Sequence, residues 1–473
     1  MRRLLVWAGI PVMVAIANVN LLQAQSAPAT QTVKGPDERM KADILVVVAH
    51  PDDEGGVTPY LARAIYDEHK RVAVVFLTRG GSGGNDYTRE HGPALAAIRE
   101  QEARTACAKL GISNVWFLEG KDTASQNVLN SLANWGHGAN LEALLRIVRL
   151  TRPEVIITWL PGVFIGENHG DHQAAGVLAT EAFDLANDPT SFPAQVAGAT
   201  KRLEVYLENL TPWQPKKLYY FSDADDQKQF AGTGPAYSIK EVSPAQKKSY
   251  VRLALEAAVP HLTQFPQAQQ FQKMTEEQFE KFLDDPNNTF WPEPMTLTLG
   301  KSRIKGEIAA DVFWGIGPQA EVIARDECKP SGEVVEPSAP VKMALAGPWG
   351  FYEALRAKAC IHVPVAKEPE IEIKAGTNLL VPLAIKRATA KALDIVIEAK
   401  TPSGWKVVSG QGTFRLPEEA ETDLFVEIAT PDSSTEELKK IAAQQVVVRA
   451  SAGGTSVGEV KLKVLLKASA LAQ

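Results

Sequence analysis

The chain has 473 residues, 45% of them hydrophobic and 22% charged, with a formal net charge of -6. That length exceeds what one hydrophobic core organises, so two or three domains are expected, and the composition is that of a soluble globular protein. Nothing in the acidic balance suggests a nucleic-acid binder, which would show a basic patch or stripe, and it speaks weakly against an anionic polymer as partner.

In chain order, Arg2 and Arg3, the apolar run Leu4 to Ile16 and the small-residue site at Leu22-Gln23-Ala24 read as a signal peptide over residues 1–24. The competing reading is an uncleaved anchor, because no charge lies between Arg3 and Lys34. Asn18 and Asn20 break the run short of the roughly 20 apolar residues a span needs. The expectation is export to the periplasm or medium, with no stable membrane insertion after cleavage. Residues 25–40 follow as a flexible leader rich in Ser, Ala, Pro, Thr and Gln.

Strand and helix then alternate. Ile44 to Ala49 is a continuous apolar run suited to a strand buried on both faces. Val57 to Lys70 has a helical pattern, Val72 to Leu77 is a second buried strand, and Ala94 to Leu110 is a helix stopped by Gly111. Val115 to Leu118 is a short strand, Leu141 to Leu150 a helix, Val155 to Leu160 a strand and His172 to Ala186 a helix. This alternation predicts an α/β unit over 41–200, with a mostly parallel, Rossmann-like sheet and helices on both faces. Residues 201–365 read as a helical or mixed extension of it. From 366 to 473 short alternating segments such as Glu370 to Lys374, separated by turns such as Thr401-Pro402-Ser403-Gly404, predict a C-terminal β-sandwich. Of the three cysteines, Cys107 fits a helix as a small hydrophobe. Cys328 and Cys360 flank a loop-rich stretch where pairing is open.

Two clusters carry chemistry. Ala49-His50-Pro51-Asp52-Asp53-Glu54 follows the first strand, and Asn168-His169-Gly170-Asp171-His172-Gln173 follows the strand Val155 to Leu160 and opens a helix. Both lie at carboxyl ends of strands, where open α/β sheets bind ligands. Alone, a His at a strand end is most often structural, and an Asp pair is most often a turn or helix cap. Here two of only eight His fall within four residues, and both clusters end strands of one sheet, which points to a shared metal site. Catalytic metal sites take three protein ligands and leave a position for water. One His of the second cluster completes such a set with His50 and Asp53.

Together the motifs A-H-P-D-D-E (Ala49 to Glu54) and H-G-D-H (His169 to His172) resemble the GlcNAc-phosphatidylinositol de-N-acetylase family, also called PIG-L or LmbE-like, which includes the deacetylase and the conjugate amidase of mycothiol metabolism. Phe76-Leu77-Thr78-Arg79-Gly80 and Arg99 with Glu102 add to the likeness, which runs from Asp43 to Ala186. The resemblance implies His50, Asp53 and His172 as metal ligands, Asp52 as general base, His169 as the group that polarises the carbonyl and stabilises the oxyanion, and Asp171 as tuning or orienting that His. If protonated, His169 can stabilise the oxyanion beside the metal. It implies substrate contacts from Arg99 and, in less similar surroundings, from Asp122. The implied cofactor is zinc, with ferrous iron the alternative, because imidazole and carboxylate suit both.

The implied activity is hydrolysis of the N-acetyl amide of a GlcNAc-containing glycan or glycoconjugate, with an N-acetylated amino sugar as the partner. The alternatives are an amidase taking a larger acyl group, or a non-catalytic sugar-binding protein. Gly80 to Asn85 reads either as a mobile loop able to contact a sugar or as a plain turn. Trp135, His137 and Trp159 offer either sugar stacking or core packing, with Trp159 assigned to the core because it ends a buried strand. Asp394 to Val407 resembles NEW3-type bacterial β-sandwich modules, with a structural role favoured over glycan binding.

Overall fold

The computed structural model describes residues 36–123, 125–162, 169–198, 208–222, 234–284, 291–306, 310–318, 341–361, 369–387, 392–418, 421–432 and 443–467. The expected signal peptide, most of the leader, Cys328 and most of the loop before His169 lie outside the described residues.

The apolar, β-branched runs form the expected strands. A sheet of order β3-β2-β1-β4-β5-β8 contains β1 (Ile44–Val48), β2 (Val72–Thr78), β3 (Asn114–Gly120), β4 (Val155–Trp159), β5 (Lys217–Phe221) and the edge strand β8 (Thr298–Ser302). Five strands run parallel, with Val46 facing Val74 on one side and Ile157 on the other, and β8 is antiparallel to β5. Every residue of β1, β2 and β4 is buried, as both-face packing requires.

The helices joining these strands are α1 (Thr58–Tyr66), α2 (Gly92–Lys109), α3 (Val128–Trp135), α4 (His137–Thr151) and α5 (Gly170–Leu185). The chain moves from β1 outward to β2 and β3, then returns across β1 to β4. Right-handed crossovers in opposite directions put their helices on opposite faces. Accordingly α3, α4 and α5 pack on one another, while α6 (Tyr250–Ala258) packs on α1 and α2. The reversal between β1 and β4 is the topological switch point of the sheet, where a crevice opens at the strand ends.

Several elements differ from expectation. The helix expected over 57–70 is shorter. A 3-10 turn, Asp53–Val57, precedes α1, and His69 at φ 55° turns the chain out of the helix. Helix α3 was not predicted. Asn127 caps its start, with its side chain accepting the Leu129 N–H, and Gly136 at φ 65° ends it. The extension holds α6, α7 (Ala268–Gln272), α8 (Glu276–Leu283) and the short pair β6 (Ala236–Tyr237) with β7 (Met295–Thr296), but it also supplies β5 and β8 to the main sheet. Its helical composition hides these strands, which gain their stability from pairing, β5 with β4 and β8 with β5.

The sandwich joins a five-stranded sheet, β10-β17-β16-β12-β14, to a four-stranded one, β13-β15-β11-β9. Its strands are β9 (Val341–Leu345), β10 (Glu370–Lys374), β11 (Asn378–Arg387), β12 (Leu393–Lys400), β13 (Lys406–Ser409), β14 (Gly412–Leu416), β15 (Glu421–Ala429), β16 (Gln444–Ala452) and β17 (Thr455–Lys467). Strand β9 precedes the expected boundary at 366 yet pairs with β11, so the sandwich takes its first strand from the extension. Between β9 and β10, helix α9 (Gly347–Ala359) turns Trp349 into the sandwich core and Tyr352 and Leu355 into the core of the α/β unit. Tyr352 Oη donates to Gln173 Oε1 of α5 at 2.7 Å. No helix among the described residues is long and apolar enough to cross a membrane.

Candidate active site

Both predicted clusters meet at the switch point. The chain leaves β1 through His50 and Pro51 into the 3-10 turn, and it enters α5 immediately after His169. Gly170 and Gly176 allow α5 to approach closely. A Cβ on Gly170 would lie 2.5 Å from the Ser125 carbonyl oxygen, and one on Gly176 would lie 2.3 Å from that of Trp159.

Three ligand atoms converge. His50 Nδ1 is 3.2 Å from His172 Nε2, His172 Nε2 is 3.2 Å from Asp53 Oδ1, and His50 Nδ1 is 3.6 Å from Asp53 Oδ1. A tetrahedral ion bound at about 2.0–2.1 Å has ligand–ligand edges of roughly 3.3–3.4 Å, so this triangle fits one face of such an ion. The second oxygen of Asp53 is fully engaged. Oδ2 accepts the backbone N–H groups of Ala49 at 2.9 Å and His50 at 2.8 Å and the indole N–H of Trp159 at 2.8 Å. These donors aim Oδ1 at the two imidazoles.

His50 is held from behind. Its Nε2 lies 3.2 Å from Asp122 Oδ1 and 3.4 Å from Asp171 Oδ2. Each carboxylate has its own anchor. Asp122 accepts the Ser82 N–H, and fully buried Asp171 accepts the N–H and hydroxyl of Thr123. Carboxylates on the outer nitrogen of a ligating His fix its tautomer and raise its basicity. Burial disfavours a charged His50, but Asp53, Asp122 and Asp171 outweigh it and hold its pKa well above the ordinary value. Burial likewise raises Asp53, yet His172 and His50 overcome this and keep it well below the usual carboxylate range. The cluster therefore demands positive charge, as a cation site does. Two other groups share His50: His50 with His169 and His172, and His50 with Asp122 and Asp171. The first draws on His169, whose Nδ1 is already engaged as a helix cap. The second sits on the Nε2 side, where both carboxylates are tied to neighbouring backbone. The Asp53 triangle fits best.

Asp52 stands beside the triangle with a backbone φ of 111°. Such a conformation costs a residue with a Cβ about 1–3 kcal/mol and persists only where the surroundings impose it. Burial and the adjacent Asp53 push the Asp52 carboxyl up to about 7, and an ion on Asp53 lowers it again.

His169 precedes α5. Its Nδ1 accepts the Asp171 backbone N–H at 3.3 Å, capping α5, and its ring stacks on His172 with centroids 4.1 Å apart. Burial first, then His172 and His50, lower its pKa to about 3, and the positive end of the helix dipole opposes a proton there as well. Accepting that N–H leaves Nδ1 without a proton, so the ring as it stands is neutral with its N–H on Nε2. Asp171 orients His50 rather than His169, on which it acts through its charge. Its side chain contacts His50 and Thr123, and only its backbone N–H meets His169.

Arg99 was expected to touch substrate, but it is engaged within the protein. It is buried, with Nη1 donating to the Gly80 carbonyl at 2.6 Å and Nη2 to that of Gly84. A Cβ on Gly83 would lie 2.5 Å from Nη1. The glycine loop is thus wrapped around a guanidinium and joined to Asp122 through Ser82. Asp122, the second expected substrate contact, holds His50 and this loop together. Trp135 is buried in the core and His137 pairs with Glu181.

Sequence reasoning missed three groups. Trp159 was placed in the core; it is buried, but it also donates to Asp53 and stacks on His172 at 4.1 Å and 6°. Its position as the last residue of β4 was the available signal. Thr263 joins Glu102 to Arg99, donating its N–H at 3.0 Å and its hydroxyl at 2.7 Å to Glu102. His261 bonds Glu54 at 2.7 Å. Neither Thr263 nor His261 has a local motif.

The GlcNAc-PI de-N-acetylase (PIG-L) family model matches residues 45–183. A 1D-myo-inositol 2-acetamido-2-deoxy-alpha-D-glucopyranoside deacetylase of Frankia alni is 34% identical over 188 residues, covering 36% of this chain and 59% of the relative. The enzyme of the same name from Thermobifida fusca is 31% identical over 191 residues, covering 37% and 60%. The chain thus spans about three-fifths of the length of these relatives. The structure of N,N'-diacetylchitobiose deacetylase from Pyrococcus horikoshii aligns at a TM-score of 0.37 and 19% identity, over 55% of this chain and 84% of that one. Residues 45–183, which carry both motifs gathered at this crevice, are thus similar to the PIG-L, or LmbE-like, deacetylases.

Proposed function

We propose that this protein hydrolyses the N-acetyl amide of a GlcNAc-containing glycan or glycoconjugate, releasing acetate and a free amine. The observation that carries the reading is the His50–Asp53–His172 triangle, set beside a carboxyl group raised towards neutrality. A divalent cation held by these three residues, zinc in our reading, supplies Lewis acidity to the amide carbonyl and lowers the pKa of water.

The chain's own groups do the rest. Asp52 takes a proton from the attacking water and delivers one to the leaving nitrogen. The Nε2–H of neutral His169 donates to the oxygen that becomes negative as the carbonyl carbon turns tetrahedral. Asp122 and Asp171 hold the His50 ring, and Trp159 holds Asp53. The substrate relation comes from the amino-sugar deacetylases named above. Export through residues 1–24 is part of the same proposal, supported by the Arg2-Arg3 pair and the apolar run, and N-terminal sequencing of the mature protein tests it.

The test is amine release from a panel of N-acetylated sugars, including chitooligosaccharides and GlcNAc glycosides, with metal-loaded wild type beside Asp52→Asn. Release by wild type alone supports the proposal. Silence across the panel with metal bound normally overturns deacetylation in favour of a larger acyl group or a binding role.

A further inference from the structure

Two buried polar residues beside the site take no part in the scheme above. Glu54 is 4% exposed and His261 is 3% exposed. His261 lies outside the family-matched residues 45–183, in the turn after α6, where its carbonyl accepts the Phe265 N–H. Its Nε2 is 2.7 Å from Glu54 Oε1, and the other oxygen of Glu54 accepts the backbone N–H of Asp52 at 3.0 Å.

These two bonds bear on the strained turn. The backbone–backbone bonds of that turn are local, Asp53 N–H to the His50 carbonyl, Gly55 N–H to the Asp52 carbonyl and Thr58 N–H to the Gly55 carbonyl, and the Trp291 indole donates to the Gly55 carbonyl at 2.9 Å. The bond from Glu54 is the one made to the N–H of Asp52 itself among the described residues. Glu54 is a carboxylate buried close to Asp52 and Asp53. Left unpaired it would repel both and move towards water. His261 is what pins it. The ring's other nitrogen, Nδ1, is buried with no hydrogen-bond partner among the described residues, so the contact with Glu54 is its polar anchor. Burial opposes charge on this ring, but Glu54 outweighs it and raises the His261 pKa.

We infer that His261 is a positioning residue for Asp52: it fixes Glu54, and Glu54 holds the Asp52 amide and with it the turn that aims the base. The inference rests on Asp52 acting as the base, as proposed above. It also gives the extension a task, because the family-matched segment alone carries Glu54 without its partner.

The test compares metal-loaded wild type, His261→Ala and His261→Gln on the sugar that wild type hydrolyses best, with metal content measured for each. Glutamine keeps an N–H for Glu54, and alanine does not. In His261→Ala kcat should fall about 10–100-fold, the usual cost of an outer-layer partner, with KM within about threefold and metal stoichiometric; His261→Gln should recover most of the loss. A residue that only supports the fold would lower Tm in both variants and leave kcat of the folded protein unchanged, and that result overturns the inference. Should His261→Ala not fold, Glu54→Gln, whose amide oxygen still accepts the Asp52 N–H, must lose less kcat than Glu54→Met; equal losses overturn it. A crystal structure of the metal-loaded His261→Ala or Glu54→Met variant reads the turn directly. Asp52 should leave positive φ, and an unchanged turn overturns the inference. A silent wild type would bring down the deacetylation reading, while the structure of the turn would still decide this one.

Discussion

Around the ends of β1 and β4 the buried residues include the polar set His50, Asp53, Glu54, Asp171 and His172, whereas between the sheets of the sandwich they include Leu379, Val381, Leu383, Ile385, Ile395 and Ile397. The first set is polar and directional. Each buried polar group costs free energy unless it is bonded, so the position of every neighbour matters. The second set is apolar and non-directional, held by area removed from water. The lesson is that burial in the crevice serves geometry, while burial in the sandwich serves stability, and the two should respond differently to small changes.

The sharpest break of that contrast is Asp52→Asn, which preserves shape and removes the base. Turnover should drop about 10²–10⁴-fold with metal content unchanged, read by amine release and metal analysis on one preparation. The same group sets the pH profile. Asp52 must be ionised to accept a proton and its carboxyl is pushed up to about 7, so kcat/KM should fall as pH drops, with a midpoint at or below about 7 once a cation is bound. That acid limb should vanish from the residual activity of Asp52→Asn, and its survival there would assign it to another group. His169, lowered to about 3, stays neutral across the assay range and should contribute no limb.

Next in size, His169→Ala should cost about 10²–10³ in kcat while keeping its metal, and His172→Ala should lose the metal. Equal metal loss in both would erase the division of labour between them. A smaller effect is expected from Trp159→Phe, which keeps the ring on His172 but removes the N–H from Asp53. Metal affinity should weaken about 10–100-fold in a competition titration against a chelator, and an unchanged affinity would return Trp159 to a packing role. The smallest catalytic effect should come from Ile397→Ala in the sandwich, which should cost about 2–5 kcal/mol of stability in denaturant unfolding and leave kcat unchanged below the transition. A fall in kcat there would show that α9, through Tyr352 and Gln173, couples the sandwich to the site.

Local pattern made much of this legible. Strands β1, β2 and β4 are continuous β-branched runs, and a strand so buried needs no knowledge of its partners to be recognised. His50, Asp52, Asp53, His169 and His172 were identifiable because each cluster sits where such a run ends. Strand β5, Lys217–Phe221, follows a Pro- and Lys-rich stretch and was missed, since its stability comes from β4 alongside it. Residues 341–345 were read as extension for the same reason, because pairing with β11 is what makes them a strand.

The sequence by itself determined the order of strands and helices, the residue types gathered at two strand ends and the switch to a β-sandwich, because hydrophobic period and turn chemistry act over a few residues. Only the tertiary structure decided which nitrogen of His50 faces Asp53 and which faces Asp122 and Asp171, that Arg99 binds the glycine loop, that His169 is neutral, and that His261 reaches Glu54 across 207 positions. These depend on distances of a few tenths of an ångström between segments far apart in the chain. Register, close helix approach at glycine and burial set such distances, and no local pattern records them.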